Sequence, residues 1–216
     1  MLELHHITFH YPGRSIFLGL DAAFSPGIHW LQGENGCGKS TLLKLAGAGL
    51  QPHAGELRWQ GISSKDGQAW RARVFLCQGE AVELPWLQAQ EWLELHLSLY
   101  CDAATRAATQ TRLHAMLQMF GLLPVLRQNL ESLSLGQHKK LQLSLALALP
   151  VSVLLLDEPL NSLDVQARAL LLQTLREQPP TRCILLTSHL SPDLPMAGVW
   201  RLQTQEAGHA LLQRLE

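Results

Sequence analysis

Two stretches of this chain carry residue types whose spacing suits chemistry on a phosphate. The first, Gly33-Glu34-Asn35-Gly36-Cys37-Gly38-Lys39-Ser40-Thr41, fits the pattern G-x-x-x-x-G-K-[ST]. Its glycines let backbone N–H groups converge on phosphate oxygens, and the helix expected to start there adds a favourable dipole. Lys39 is suited to bridge β- and γ-phosphates and Ser40 to ligate Mg²⁺, with Asn35 and Thr41 assisting. The second stretch is Val153-Leu154-Leu155-Leu156-Asp157-Glu158-Pro159. A run this apolar is a buried strand, and ligands in open α/β sheets sit at the carboxyl ends of strands. There Asp157 would hold Mg²⁺ through water, while Glu158 would orient or deprotonate an attacking water. Together the two stretches predict binding and hydrolysis of a nucleoside triphosphate.

Between them lies Leu133-Ser134-Leu135-Gly136-Gln137, a small-residue turn at the head of an apolar segment. It predicts a second helix start able to bind an anion.

The elements that must position these residues read as follows. Leu2 to Phe9, Ile28 to Gln32, Glu56 to Gln60 and Arg73 to Cys77 have strand patterning, the first three punctuated by PG, SPG and AG turns. Thr41 to Ala48 reads as a short helix ended by Gly47 and Gly49. From Leu84 to about Leu130 the composition turns to Ala, Leu, Gln and Glu at helical spacing. One helix is expected over 86–100 and another over 107–123, closed by Gly121 and Pro124. Strand patterning returns at Val151 to Leu156 and Cys183 to Thr187, around a helix over Val165 to Glu177. Val199 to Leu202 and His209 to Leu215 flank a QEAG turn as a terminal hairpin.

Composition narrows the class. The chain has 216 residues, 47% of them apolar, and a formal net charge of −1. Its mean hydropathy is +0.04. One core with an insert is expected, and the neutral charge balance argues against a nucleic-acid partner. Cys37, Cys77, Cys101 and Cys183 lack metal-like spacing, which predicts reduced thiols. The N-terminus MLELHHITFHYPG lacks the basic head and apolar run of a signal peptide. The greasiest window, Leu141 to Leu156, is broken by Gln142, Ser144, Pro150 and Ser152 and falls short of a bilayer span. Any membrane crossing is left to another protein.

LSLGQ followed by VLLLDEP and Asn161-Ser162-Leu163-Asp164 resembles the nucleotide-binding subunit of the ATP-binding cassette (ABC) family. The resemblance runs along essentially the whole chain, in the same order of elements. It implies a P-loop NTPase (RecA-like) α/β core, an N-terminal antiparallel β subdomain and an inserted helical subdomain. Residues 1–83 and 147–216 would form the core with its β subdomain, and 84–146 the helical subdomain carrying LSLGQ. It also implies that Gln78 is the Q-loop glutamine and a metal ligand, that His189 is the switch histidine, and that Tyr11 stacks on adenine. Asn161 to Asp164 would be the loop after the catalytic acid. Read as residues alone, Gln78 could be a polar strand end, His189 a loop histidine and Tyr11 a packed aromatic.

The resemblance further implies a head-to-tail dimer, expected to be a homodimer, and the two anion-binding helix starts give that dimer a physical reason. Lys39 and its loop would hold one ATP, while Ser134, Gly136 and Gln137 would close over the ATP of the other copy. A separate integral membrane permease is implied, with this chain on the cytoplasmic face of the inner membrane. A soluble ABC-type ATPase acting in assembly, without a permease, is the alternative. Leu135 departs from the family's LSGGQ and is tolerable if it keeps an ordinary negative φ. Trp86 and Trp92 either pack the helical insert or line a groove for a coupling helix of the permease. The compact length and the LSLGQ variant are similar to those of small bacterial exporter ATPases of the haem-exporter kind.

Overall fold

The computed structural model describes residues 1–78, 84–205 and 208–215. It divides into two compact units, Met1–Leu76 with Ser152–Glu158 and Pro179–Glu216, and Cys77–Val151 with Pro159–Gln178.

In the first unit β1 (Leu2–Tyr11), β2 (Arg14–Phe24), β4 (Ala54–Trp59) and β5 (Ile62–Ser63) form an antiparallel sheet in the order β2-β1-β4-β5. A second sheet has the order β10-β9-β3-β8-β7-β6, from β3 (Gly27–Gln32), β6 (Val74–Cys77), β7 (Val153–Leu156), β8 (Cys183–Thr187), β9 (Met196–Thr204) and β10 (Ala210–Arg214). β9, β3, β8 and β7 run parallel, so their carboxyl ends share one edge, where open α/β sheets bind ligands. β10 returns antiparallel to β9 as the expected hairpin; of its turn, residues 206–207 lie outside the described residues.

One apolar cluster joins the two sheets to α1 (Lys39–Ala46). It includes Leu2 and Ile7 of β1, Phe17 of β2, Leu31 of β3, Leu42 and Leu43 of α1, and Leu185 of β8. Each such side chain contributes about 1.5–3 kcal/mol when fully buried. Trp70, on the short α2 (Gln68–Arg71), donates its indole N–H to the carbonyl of Ala46 and so satisfies the end of α1.

The second unit is helical. α3 (Ala89–Tyr100) and α4 (Ala103–Met119) start at Gln88 and Asp102, each with a reciprocal capping box. α5 (Leu135–Ala148) and α6 (Val165–Arg176) complete it. The unit differs from the helical subdomain of 84–146 that the resemblance implies, because it also contains α6, which returns after β7. The greasy window resolves as expected: α5 ends at Ala148, Pro150 follows, and β7 is buried along its whole length. Among the described residues no helix is long and apolar enough to cross a membrane. Trp92 is buried against His96, with ring centroids 4.2 Å apart, whereas Trp86 is 65% exposed. The two tryptophans therefore do not share one role.

Candidate active site

The glycine-rich loop connects β3 to α1, so the strand end aims it and the helix start closes it. Gly38 caps α1 at φ 109°, and a Cβ there would lie 2.9 Å from Ile16 Cγ2. A side chain is excluded both by conformation and by space. Lys39 is 8% exposed, and its Nζ donates to the carbonyls of Gly33 and Glu34 at 2.7 and 2.9 Å. Those bonds offset the cost of burying an ammonium and hold the lysine folded over its own loop.

Tyr11, Asn35, Gly36, Gly38, Lys39, Ser40, Thr41, Asp157, Glu158 and His189 line one cavity of about 260 Å³. The sequence drew these residues from the ends of β1, β3, β7 and β8, and the fold brings them together. Tyr11 is 39% exposed at the cavity rim, edge-on to Phe9, with its hydroxyl 3.5 Å from Thr41 Oγ1. Gly33, Cys37 and His189 border an adjoining cavity of about 660 Å³ at the carboxyl ends of β3, β8 and β9.

The paired acids follow β7. Glu158 adopts φ 44°, a left-handed conformation that a non-glycine residue keeps only when its surroundings fix it. Its Oε1 lies 3.3 Å from His189 Nε2. The pair is close enough for attraction when the imidazole is protonated, yet too poorly aligned for a hydrogen bond. That oxygen is buried and accepts no hydrogen bond from any described residue. A buried carboxylate oxygen without a donor suits a group that waits for a water.

Two residues that motif spacing does not mark also belong here. Arg14, at the start of β2, donates to the carbonyl of Gly36 at 2.6 Å and lines the same cavity. Thr187, at the end of β8, donates to Asp157 Oδ1 at 2.7 Å and accepts from the Glu158 N–H at 2.8 Å. All three contacts join segments at least 22 residues apart, so no local pattern announces them.

Gln78, Ser134, Gly136 and Gln137 belong to the second unit. Gln78 is half-buried and follows β6. Ser134 caps α5: its Oγ accepts from Gln137 N–H at 3.2 Å, while Gln137 Oε1 accepts from Ser134 N–H at 2.8 Å. The two side chains are therefore engaged with each other's backbone, and the Gln137 side chain caps its own helix. Leu135 is the first residue of α5, outside the residues with positive φ, and 74% exposed. A glycine conformation is not required at that position. The loop Asn161–Asp164 is tied to α5 by an ion pair of 2.6 Å between Lys140 Nζ and Asp164 Oδ2. Asp164 also caps α6 by accepting from Ala167 N–H, and both contacts hold its carboxyl below the usual carboxylate range, the Lys140 bond most.

The four cysteines are free thiols, and burial pushes Cys183 up to about 12. Among the described residues no group of three or more His, Cys, Asp or Glu is arranged to hold a metal by itself. A metal here would depend on a hydroxyl, a carboxylate and the nucleotide's own phosphates, which is how Mg²⁺ is commonly held.

A glycine-rich loop between strand and helix, facing paired acids on a parallel sheet, defines a P-loop nucleoside triphosphatase. The family model described as ABC transporter matches residues 21–161. The cytochrome c biogenesis ATP-binding export protein CcmA of Cupriavidus necator is 33% identical over 172 residues, covering 78% of this chain and 74% of that one. Its counterpart in Paramagnetospirillum magneticum is 34% identical over 189 residues, covering 86% of each. A solved ATP-binding subunit of an ABC transporter superimposes with a TM-score of 0.84 at 22% identity, covering 100% of this chain and 90% of that one. A dimeric ATP-binding cassette in a post-hydrolysis state, bound to ADP and Pi, gives 0.78 at 20% identity, covering 100% and 99%. The chain belongs to the ABC transporter family and is an ATP-binding, ATP-hydrolysing subunit of that family.

Proposed function

We propose that this chain powers export through a separate membrane permease, by closing on a second copy of itself around ATP and reopening on hydrolysis. The observation that carries the hydrolytic part of this reading is the unbonded Glu158 oxygen, which belongs to the residue beside His189 in the cavity shared with Lys39 and Ser40.

The triphosphate binds against the backbone amides of residues 33–41, with Lys39 at the β- and γ-phosphates and Tyr11 against the base. Ser40 and Asp157 would hold Mg²⁺, and the family resemblance implies Gln78 as a further ligand. When bound, the ion neutralises charge on the β- and γ-phosphates. Glu158 accepts the proton of the attacking water, and His189 steadies the charge that develops on the γ-phosphate. Ser134 and Gly136 of a second copy present the α5 start to that γ-phosphate; Gln137 contributes through its backbone, because its side chain is used in the cap.

Export is favoured by the similarity to the CcmA export proteins. A permease contact is supported by exposed apolar residues in the helical unit, and such a contact would place the chain on the cytoplasmic face of the inner membrane. Trp86, Leu95 and Leu99 are 65%, 40% and 66% exposed, and a cavity of about 590 Å³ along α3 is lined by Gln90, Glu91, Glu94, Leu95 and Ser98. The test is affinity purification of the full chain from membranes. A multi-span membrane protein should co-purify with the wild type, with ATPase activity lost in Lys39→Ala. Recovery of the chain with soluble proteins alone would overturn the transport reading.

A further inference from the structure

Thr187 is wholly buried at the last position of β8, where a strand side chain would ordinarily only fill the core. It does more than pack. β7 and β8 are parallel partners in register through Leu156 and Leu186, and Thr187 lies one step beyond that pair. Its hydroxyl donates to Asp157 Oδ1 and accepts from the backbone N–H of Glu158. A single group thus holds the carboxylate of one acid and the backbone of the next. The backbone it holds is the one at φ 44°.

We propose that Thr187 is a positioning residue for ATP hydrolysis: its hydroxyl fixes the Asp157 carboxylate and the backbone of Glu158 together. The inference rests on the reading of Asp157 as a magnesium ligand and Glu158 as the base. An isosteric side chain without the hydroxyl leaves Asp157 Oδ1 without this donor and the Glu158 N–H without this acceptor. Asp157 then loses one of its restraints, and Glu158 can relax from its left-handed conformation and turn its carboxylate away from His189. Valine has the shape of threonine and suits a strand, so packing alone predicts little change on that substitution. Serine keeps the hydroxyl and loses only a methyl group.

The experiment compares Thr187→Val, Thr187→Ser and Glu158→Gln in the full chain. Steady-state hydrolysis gives kcat and KM, and equilibrium binding of ATP with and without Mg²⁺ gives the factor by which the ion tightens nucleotide. Thr187→Val should lose roughly 10- to 100-fold in kcat, the usual cost of removing a group that orients a metal ligand. Its KM for ATP should stay within about threefold of wild type, while the magnesium-dependent gain in affinity shrinks several-fold. Thr187→Ser should restore both within about threefold. Should Thr187→Val fail to fold by circular dichroism, Thr187→Ala is measured in its place with the same expectations. Wild-type kcat and magnesium gain in the hydroxyl-free variant would overturn the inference, as would an equal loss in the valine and serine variants. Glu158→Gln separates the two levels. Rapid hydrolysis by Glu158→Gln would remove the underlying reading of the base, and its inactivity beside a fully active Thr187→Val would remove only the role of Thr187.

Discussion

His189 Nε2 stands 3.3 Å from Glu158 Oε1 without making a hydrogen bond to it. The two groups share one cavity with Lys39, so a γ-phosphate and a water bound in that cavity would meet the proposed base and a polar anchor at once. Replacing Glu158 by Gln keeps shape and removes the proposed base. Turnover should fall by roughly 10²- to 10⁴-fold while ATP binding is retained. Rapid-quench hydrolysis and equilibrium ATP binding on the same preparation check both halves of that expectation.

Tyr11 offers a half-exposed ring at the rim, braced edge-on by Phe9 at 5.0 Å. Base stacking on an aromatic ring is worth about 1–3 kcal/mol, so Tyr11→Ala should raise the ATP KM by roughly 5- to 100-fold with little change in kcat. Tyr11→Phe should bind ATP like the wild type. Titration of both variants with ATP, and with triphosphate lacking a base, gives the comparison.

Leu135 begins α5 in a helical conformation and exposes its side chain. Restoring a glycine supplies conformational freedom that the position does not use and costs about 1 kcal/mol of helix propensity. Leu135→Gly should therefore leave ATP turnover within about threefold of wild type. Many-fold faster turnover would show that Leu135 hinders closure.

His29 is 1% exposed; Trp200 Nε1–H donates to its Nδ1 at 3.2 Å, so its Nε2–H donates to the Ser25 carbonyl at 2.8 Å. Burial holds its pKa below the ordinary 6.5. The folded state therefore binds this proton less readily than the unfolded chain, and stability falls as pH drops from about 6.5 through the depressed value. His96, on α3, is lowered in the same way by burial. Thermal unfolding of the wild type should shift down between pH 7.5 and pH 5.5, about one pH unit either side of the ordinary histidine pKa, and His29→Gln should show a flatter pH dependence.

The loop from Gly33 to Thr41 and the acids after β7 were legible because each is continuous in sequence and its geometry is local. β2 was not: its burial pattern does not alternate, and its pairing with β1 shifts register three times, between Leu4 and His10. A strand whose faces change along its length leaves no period-two signal. The change in composition near Leu84 marked where the helical residues begin, but α6 joins the same unit after an intervening strand. Arg14 and Thr187 were invisible for a related reason. Each acts through a contact between distant segments, and a β-branched residue in a strand looks the same whether or not its hydroxyl is used.

In the proposed dimer two copies share the nucleotide, each supplying residues 33–41, Asp157 and Glu158 to one ATP and Ser134 and Gly136 to the other. The direct measurement is the mass in solution of Glu158→Gln, by sedimentation or light scattering, without nucleotide and with ATP. The chain mass is 24.0 kDa. Addition of ATP should double the mass, and a bulky substitution of Ser134 should abolish the doubling while ATP still binds. A chain that binds ATP with full affinity and remains at the single-chain mass at every ATP concentration would rule out the shared-nucleotide dimer.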